Sequence, residues 1–165
     1  MMNKVFLEEC CEILDSKRIP ITASDRKEGP YPYYGANGVQ DYVADYIFDD
    51  DLVLLAEDGG NFGSKEKPIA YCVSGKCWVN NHAHVLKPKS NVNVDYLCYS
   101  LMFYNTDGLV NGATRQKLTQ AAMRKMQTSP QEPCSSWQLR LPLMHWRWVF
   151  LWPWPAVSTS GCPSS

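Results

Sequence analysis

The chain has 165 residues, enough for one domain with a sizeable hydrophobic core. Its formal net charge is −1 at pH 7, which excludes a global basic field, so any nucleic-acid binding has to rely on local geometry or on other chains. No long apolar segment precedes Glu8 and Glu9, and seven cysteines without a secretory signal are typical of reduced thiols, so we expect a cytoplasmic protein.

The first third of the chain predicts one helix and several strands. Residues 7–14 form an amphipathic pattern whose apolar face holds Leu7, Cys10, Cys11 and Leu14. The run PYPYYGANG at residues 30–38 combines prolines, which stiffen the backbone, with glycines, which permit positive φ. Strands are predicted at residues 40–48 and 52–57, and the apolar run LVLLA at 52–56 is typical of a strand buried on both faces.

A loop with the sequence EDGGNFG follows the second of these strands, at residues 57–63. Two adjacent carboxylates can hold a metal or act in acid–base chemistry. No nucleophile or third ligand lies at a fixed spacing from them, so a turn is the preferred interpretation.

The run WVNNHAHVL at residues 78–86 alternates like a strand, and the run IAYCV lies just upstream at residues 69–73. The intervening Ser74 and Gly75 predict a hairpin with Cys72 opposite Cys77. Buried imidazoles and amides need hydrogen bonds, so we assign His82 and His84 to a structural polar seam. An alternative is a zinc site made of Cys72, Cys77, His82 and His84, although this spacing matches no familiar zinc motif.

The next part of the chain predicts two capped helices. Asn93 is a candidate cap for a helix over residues 94–104, with Leu97 and Leu101 on its inner face. A glycine-containing loop with two cations, NGATRQKL, follows at residues 111–118. Thr119 is then the candidate cap of a helix over residues 120–126.

The sequence changes character at Gln127. Only three of the 33 charged residues follow it, whereas the tail at residues 127–165 holds five of the six tryptophans and six of the eleven prolines. It contains no heptad pattern, and prolines, His145 and Arg147 interrupt its apolar part, so a membrane span is not expected. We interpret residues 127–165 as a frameshifted or disordered tail.

Residues 5–126, about three quarters of the chain, resemble one target recognition domain of the specificity subunit of a type I restriction-modification system. The resemblance depends on the order and spacing of five motifs, each weak alone. They are YPYYGANG at 31–38, YIF at 46–48, LAEDG at 55–59, SGKCWVNNHAHVL at 74–86 and GATRQKL at 112–118.

This resemblance implies an α+β fold, with a twisted β-helix-like sheet and flanking short helices. Residues 1–126 would then be a domain that reads half of a split site in double-stranded DNA. In the family a long helix follows this domain and docks the modification (methyltransferase) subunits, but here that helix is missing. The resemblance also implies no catalytic centre: S-adenosylmethionine belongs to the modification subunit, and ATP with magnesium to the restriction subunit.

The candidate DNA contacts are chosen by residue type on predicted loops. Phosphate positioning suits Lys27, Lys65, Lys67, Arg115 and Lys117. Base-edge readout suits Asn37, Asn61, Arg115 and Gln116, while Tyr33 and Tyr34 can pack sugars or bases. For any single charged residue, a solvated surface position is an equally good interpretation. Two other functions stay open, namely a metal-dependent enzyme or zinc site and a non-functional remnant or pure interaction protein.

Overall fold

Short strands and short helices alternate along residues 4–128, the part of the chain that this computed structural model describes. The strands are β1 (Val5–Phe6), β2 (Cys11–Ile13), β3 (Glu28–Gly35), β4 (Gly38–Val43), β5 (Phe48–Asp49), β6 (Leu52–Ala56), β7 (Ala70–Val73), β8 (Lys76–Val79), β9 (Ala83–Pro88), β10 (Val110–Asn111), β11 (Lys117–Leu118) and β12 (Gln127–Thr128). The helices are α1 (Leu7–Cys10), α2 (Val94–Met102) and α3 (Gln120–Arg124), with 3₁₀ turns at Asp15–Lys17 and Ala23–Asp25.

Within these residues the strands form two four-stranded sheets. The first sheet has the order β2-β9-β6-β7 and is antiparallel throughout. The second sheet has the order β4-β3-β8-β5, and its β3 and β8 are parallel. Two short ribbons, β1 with β12 and β10 with β11, complete the pairing. The prediction of a mixed strand-and-helix fold is therefore confirmed.

Strand β6 lies between two hydrophobic clusters and supplies both. Side chains alternate across a strand, so Val53 and Leu55 enter the cluster around α2 and α3, while Leu52 and Leu54 enter the one around β5, β8 and β9. All five β6 residues are buried, which confirms the prediction of a strand covered on both faces.

The two predicted helix caps are also confirmed. The Asn93 side chain accepts a hydrogen bond from the Tyr96 backbone N–H at 2.9 Å, and the Thr119 hydroxyl accepts from the Ala122 backbone N–H at 3.3 Å. Leu97 and Leu101 are fully buried on the inner face of α2, as the spacing predicts. No helix within residues 4–128 has the length and apolarity needed to cross a membrane.

The predicted hairpin at Ser74 and Gly75 is wrong. Strand β7 joins β6 in the first sheet, whereas β8 joins β3 and β5 in the second sheet. Gly75 does adopt a positive φ of 78°, but the turn that it permits separates the two strands instead of pairing them. The expected pairing of Cys72 with Cys77 is therefore absent.

The single strand predicted over residues 78–86 is interrupted. The side-chain oxygen of Asn80 accepts a hydrogen bond from the His82 backbone N–H at 2.8 Å, and this local turn ends β8 before β9 begins at Ala83. His82 and His84 consequently lie in different environments.

Three other expectations need correction. The helix predicted over residues 7–14 ends at Cys10, because Cys11 turns extended and pairs with Pro88 in the first sheet, although the predicted apolar positions are buried. The strand predicted over residues 40–48 divides into β4 and β5. The cysteines are not all reduced, since Cys72 and Cys98 form a disulfide that joins β7 to α2.

Cys10, Cys11 and Cys77 are free and buried. Burial raises the pKa of both Cys11 and Cys77 to about 12, so these thiols stay protonated at neutral pH.

Candidate nucleic-acid interface

Four loops converge on a cleft of about 460 Å³ at one end of the described unit. They are the β3–β4 turn, the loop after β6, the β8–β9 turn and the β10–β11 loop. The side chains and backbone that line the cleft belong to Ala36, Asn37, Gln40, Asp58, Gly59, His82, Thr114 and Arg115. Amide, imidazole, carboxylate and guanidinium groups therefore face one space.

Backbone hydrogen bonds hold these loops against one another. The Glu57 N–H donates to the His82 carbonyl at 2.9 Å, which ties the loop after β6 to the β8–β9 turn. The Gly59 N–H donates to the Gln116 carbonyl at 2.9 Å, and the Leu118 N–H donates to the Glu57 carbonyl at 2.7 Å. The cleft is thus framed by loops in fixed positions, a condition for precise recognition.

The lining of the cleft includes an ion pair with a histidine beside it. Arg115 Nε lies 2.7 Å from Asp58 Oδ1. His82 Nδ1 lies 3.4 Å from the other carboxylate oxygen of Asp58 and 3.5 Å from Arg115 Nη2. The Asn37 side-chain amide donates to the Gly59 carbonyl at 3.1 Å from the opposite wall.

A buried polar network lies directly behind this cleft and is centred on His84, which is 0% exposed. His84 Nδ1 lies 2.7 Å from Asp15 Oδ2, and His84 Nε2 lies 2.9 Å from the Leu118 carbonyl oxygen. A carbonyl oxygen only accepts hydrogen bonds, so Nε2 donates to Leu118, while Nδ1 shares a hydrogen bond with the Asp15 carboxyl group. His84 thus joins β9 to the first 3₁₀ turn and to β11, in agreement with its predicted structural role.

Asp15 collects further hydrogen bonds, from the Val85 N–H and from the Gln120 amide, both at 2.9 Å. Burial alone would raise the pKa of Asp15, but the hydrogen bond and charge of His84, with these two bonds, outweigh it and hold the pKa below its ordinary value of 3.8. The carboxylate is therefore ionised throughout the neutral range.

The proposed zinc ligands do not come together. Cys72 is bonded to Cys98, Cys77 is buried in the cluster around β5 and β8, and the two histidines face different partners. The zinc interpretation based on these four residues is wrong.

Among the described residues, Asp15, Glu57 and His84 form a group that could hold a metal ion. Their potential ligand atoms, one from each residue, lie within 4.8 Å of one another. Arg18 already donates to Glu57 at 2.6 Å, and Lys117 Nζ lies 3.3 Å from the same carboxylate. Protein cations therefore neutralise this group, and it acts as an ion-pair network.

Part of the predicted DNA-contact set gathers at the cleft. Asn37 and Arg115 line it, Gln116 is exposed beside Arg115 on the same loop, and Lys117 is exposed at the start of β11. Lys65 and Lys67 are exposed on the loop after β6, and the Asn61 side chain hydrogen-bonds to Tyr71 at the base of that loop.

Three predicted residues lie elsewhere. Lys27 is exposed at the start of β3, roughly 20–25 Å along the strand from the cleft. Tyr33 is 1% exposed, and Arg26 Cζ lies over its ring, 4.2 Å from the ring centroid. Tyr33 therefore offers no surface to a ligand. Tyr34 is half-buried, and burial raises its pKa to about 12.

The sequence reasoning missed Gln40, Asp58, His82 and Thr114 as lining residues. Asp58 and His82 do stand out in the sequence, beside the glycine pair and in the histidine run, but their shared location depends on strand pairing. Gln40 and Thr114 lack a local signal of this kind.

Comparisons with known proteins give a family match and a shared fold. Residues 1–128 match the family described as type I restriction modification DNA specificity domain. A curated Haemophilus influenzae protein, named as the type I restriction enzyme specificity subunit S.HindORF215P, is 38% identical over 120 residues, covering 73% of this chain and 31% of the relative.

Two solved structures share the fold. The type I restriction-modification system S subunit from M. genitalium aligns with a TM-score of 0.60 at 11% identity, covering 76% of this chain and 33% of that one. A chain from a structure on complex assembly and conformational transition of the type I R-M system aligns with a TM-score of 0.54 at 14% identity, with the same coverage. The chain spans about a third of the length of the relatives it matches.

Proposed function

Because the chain belongs to the type I restriction modification DNA specificity domain family, we propose that residues 4–128 read one half of a split site in double-stranded DNA. The observation that carries this proposal is the convergence of hydrogen-bonding side chains at one cleft. Asn37, Gln40 and Arg115 line the same space, and Gln116 is exposed next to them. Amides pair with adenine and guanidinium pairs with guanine in the major groove, so this set suits base readout.

Phosphate contacts are proposed for the exposed lysines around the cleft. Lys117 begins β11, two residues after Arg115, and Lys65 and Lys67 lie on the loop after β6. Lys27 is the outlying member and would reach phosphates at the far end of β3. These contacts would fix the position of the duplex without reading its sequence.

The charge around the cleft is nearly balanced, which limits the affinity of this chain alone. Arg115 pairs with Asp58, and Lys117 pairs with Glu57. Counterion release from phosphates needs uncompensated cations, and few are available here. We therefore propose that modification and restriction subunits of a type I complex complete the clamp around DNA.

The remaining parts of the proposal follow from family membership. The chain would have no catalytic role, and S-adenosylmethionine, ATP and magnesium would bind to the partner subunits. It would act in the cytoplasm. The two sheets would form the twisted, β-helix-like arrangement expected of a recognition domain, and the predicted loss of the long C-terminal helix concerns residues outside the described part.

The test is selection of duplexes from a randomised library by the full chain, alone and together with a modification subunit. Enrichment of one half-site, with binding that weakens steeply as salt rises, is expected. Lys117→Ala should weaken binding to all sequences alike and lower the salt slope by about one. Lys89→Ala is the matched control, because Lys89 lies beyond the far end of β9. This substitution should change neither the binding affinity nor the salt slope.

A fully folded chain that enriches no sequence, with or without the modification subunit, would contradict the proposal. That outcome favours the non-functional remnant or pure interaction protein.

A further inference from the structure

The guanidinium of Arg115 is exposed but held. Its side chain is 60% exposed, while that of Asp58 beneath it is 22% exposed. The Asp58 carboxylate engages Nε at 2.7 Å, and His82 lies 3.5 Å from Nη2. One edge of the guanidinium is therefore fixed from inside the protein, and the Nη1 amino group stays available with the outer hydrogen of Nη2.

The position of the carboxylate is itself fixed. Asp58 lies between two backbone hydrogen bonds, from the Glu57 N–H to the His82 carbonyl and from the Gly59 N–H to the Gln116 carbonyl, both at 2.9 Å. Asp58 also pairs with Lys117 in an isolated antiparallel bridge. The loop after β6 and the Arg115 loop are thus hydrogen-bonded to each other on both sides of the ion pair, which fixes its direction.

The space around the guanidinium depends on a glycine. Gly59 has a φ of 70°, and a Cβ atom at this position would lie 3.3 Å from Arg115 Nε. A larger residue would strain the backbone and crowd the Asp58–Arg115 contact.

The charge balance distinguishes between two uses of Arg115. A phosphate contact gains most from an uncompensated cation, whereas Asp58 neutralises this one. The edge of a guanine is neutral and offers two acceptors, O6 and N7, which a guanidinium with two free donors can engage together. A buttressed, charge-compensated arginine at the mouth of a cleft suits the guanine edge better.

We propose that Arg115 reads a guanine in the major groove and that Asp58 is the positioning residue which orients its guanidinium. This inference rests on the proposed function and deepens it, because it names the base class that one residue of the cleft reads.

The first experiment leaves the protein unchanged. Duplexes selected by the full chain, with its modification subunit where that is needed for measurable binding, are resynthesised with 7-deazaguanine at each guanine in turn. This base lacks the N7 acceptor but keeps the Watson–Crick pairing. We expect one position at which the substitution weakens binding by at least roughly 5-fold, since a bidentate pair discriminates by roughly 5- to 150-fold.

The second experiment uses three substitutions. Asp58→Asn removes the charge of the buttress, Asp58→Glu keeps it, and Arg115→Ala removes the reader. Arg115→Ala should abolish the preference for guanine at the sensitive position and leave preferences elsewhere intact. Asp58→Asn should reduce that same preference by at least roughly 3-fold, and Asp58→Glu should restore part of it. Thermal unfolding of each variant reports whether the fold is kept.

The outcomes separate the two proposals. A selected motif without any 7-deazaguanine effect, or equal weakening of all sequences by Arg115→Ala with a salt slope lower by about one, makes Arg115 a phosphate contact and overturns this inference alone. Unchanged preference in a folded Asp58→Asn protein removes the positioning role. Selection of no motif at all contradicts the proposed function and this inference with it.

Discussion

Replacing His84 by alanine should be among the most destabilising single changes in residues 4–128. The imidazole is fully buried and hydrogen-bonds to two groups on different elements, Asp15 at 2.7 Å and the Leu118 carbonyl at 2.9 Å. Its removal leaves a cavity between β9, the first 3₁₀ turn and β11.

The magnitude follows from the groups left behind. The Leu118 carbonyl would lose the bond from the ring, and an unsatisfied buried acceptor costs about 1–3 kcal/mol. The charge-assisted bond to Asp15 contributes about 1.5–3 kcal/mol, although Val85 and Gln120 still donate to that carboxylate. We expect a loss of about 3–5 kcal/mol, a large share of the roughly 5–15 kcal/mol that stabilises a typical domain.

Urea unfolding of the full chain, followed by circular dichroism, measures this loss from the shift in midpoint at unchanged slope. His82→Ala is a matched control two residues away. Its side chain is 35% exposed and its two contacts are 3.4 and 3.5 Å long, so it should lose less than about 1 kcal/mol. Equal losses in the two variants would refute the assignment of His84 to a buried structural network, because water would then be satisfying both of its acceptors.

Three further predictions concern pH, redox state and the second sheet. The pKa of Asp15 is held below 3.8 in the folded chain. Its contribution to stability is therefore fully present above pH 3.8 and is lost as the pH falls through the lower pKa of the folded state. In acid, the free energy of unfolding should accordingly depend less steeply on pH in Asp15→Asn than in the unchanged chain. Reduction of the Cys72–Cys98 disulfide, which spans a 26-residue separation, should cost about 3–4 kcal/mol, and a Cys98→Ser protein should show no further change with dithiothreitol; a sensitive variant would point to another thiol. Trp78→Phe should cost about 1 kcal/mol because it removes the 2.6 Å bond from the indole N–H to the Ile19 carbonyl, and no loss in urea unfolding would mean that this bond is replaced by water.

The features that could be predicted from the sequence are those set by a few neighbouring residues. The apolar run of β6 is typical of a strand covered on both faces, and Asn93 and Thr119 precede helices that need an oxygen acceptor at their first free N–H groups. These signals depend on no distant partner, and the structure has all three.

Strand partners could not be predicted in this way, because strand pairing depends on residues that are distant in the sequence. Ser74 and Gly75 permit a tight turn, and the same positive φ at Gly75 serves strands that pair or strands that part. Here β8 finds a parallel partner in β3, more than 40 residues earlier, and β7 finds β6. A local pattern cannot predict these pairings, because they are stabilised by the burial of Cys77 and Val79 in one hydrophobic cluster and of Ala70 in the other.

The same limit applies to the candidate site. Residue type and a glycine-containing loop predict Asn37 and Arg115 as contacts, and both line the cleft, whereas Tyr33 has the same two signals and is buried under Arg26. Gln40 carries no such mark, and the contact of Asp58 with Arg115 depends on the neighbours that folding brings to it. Residue type indicates which residues could line a site, but the packing of the loops determines which of them do.

The end of β6 connects the buried His84 network to the cleft. Glu57 and Asp58 are consecutive residues, and an extended backbone sends consecutive side chains in opposite directions. Glu57 accordingly turns inward, where Arg18 donates to it at 2.6 Å beside the His84 network, while Asp58 turns outward and contacts Arg115 at 2.7 Å. The buried network therefore fixes the backbone from which the outward carboxylate projects. The position of the guanidinium in the cleft depends in this way on a strand that both hydrophobic clusters hold in place.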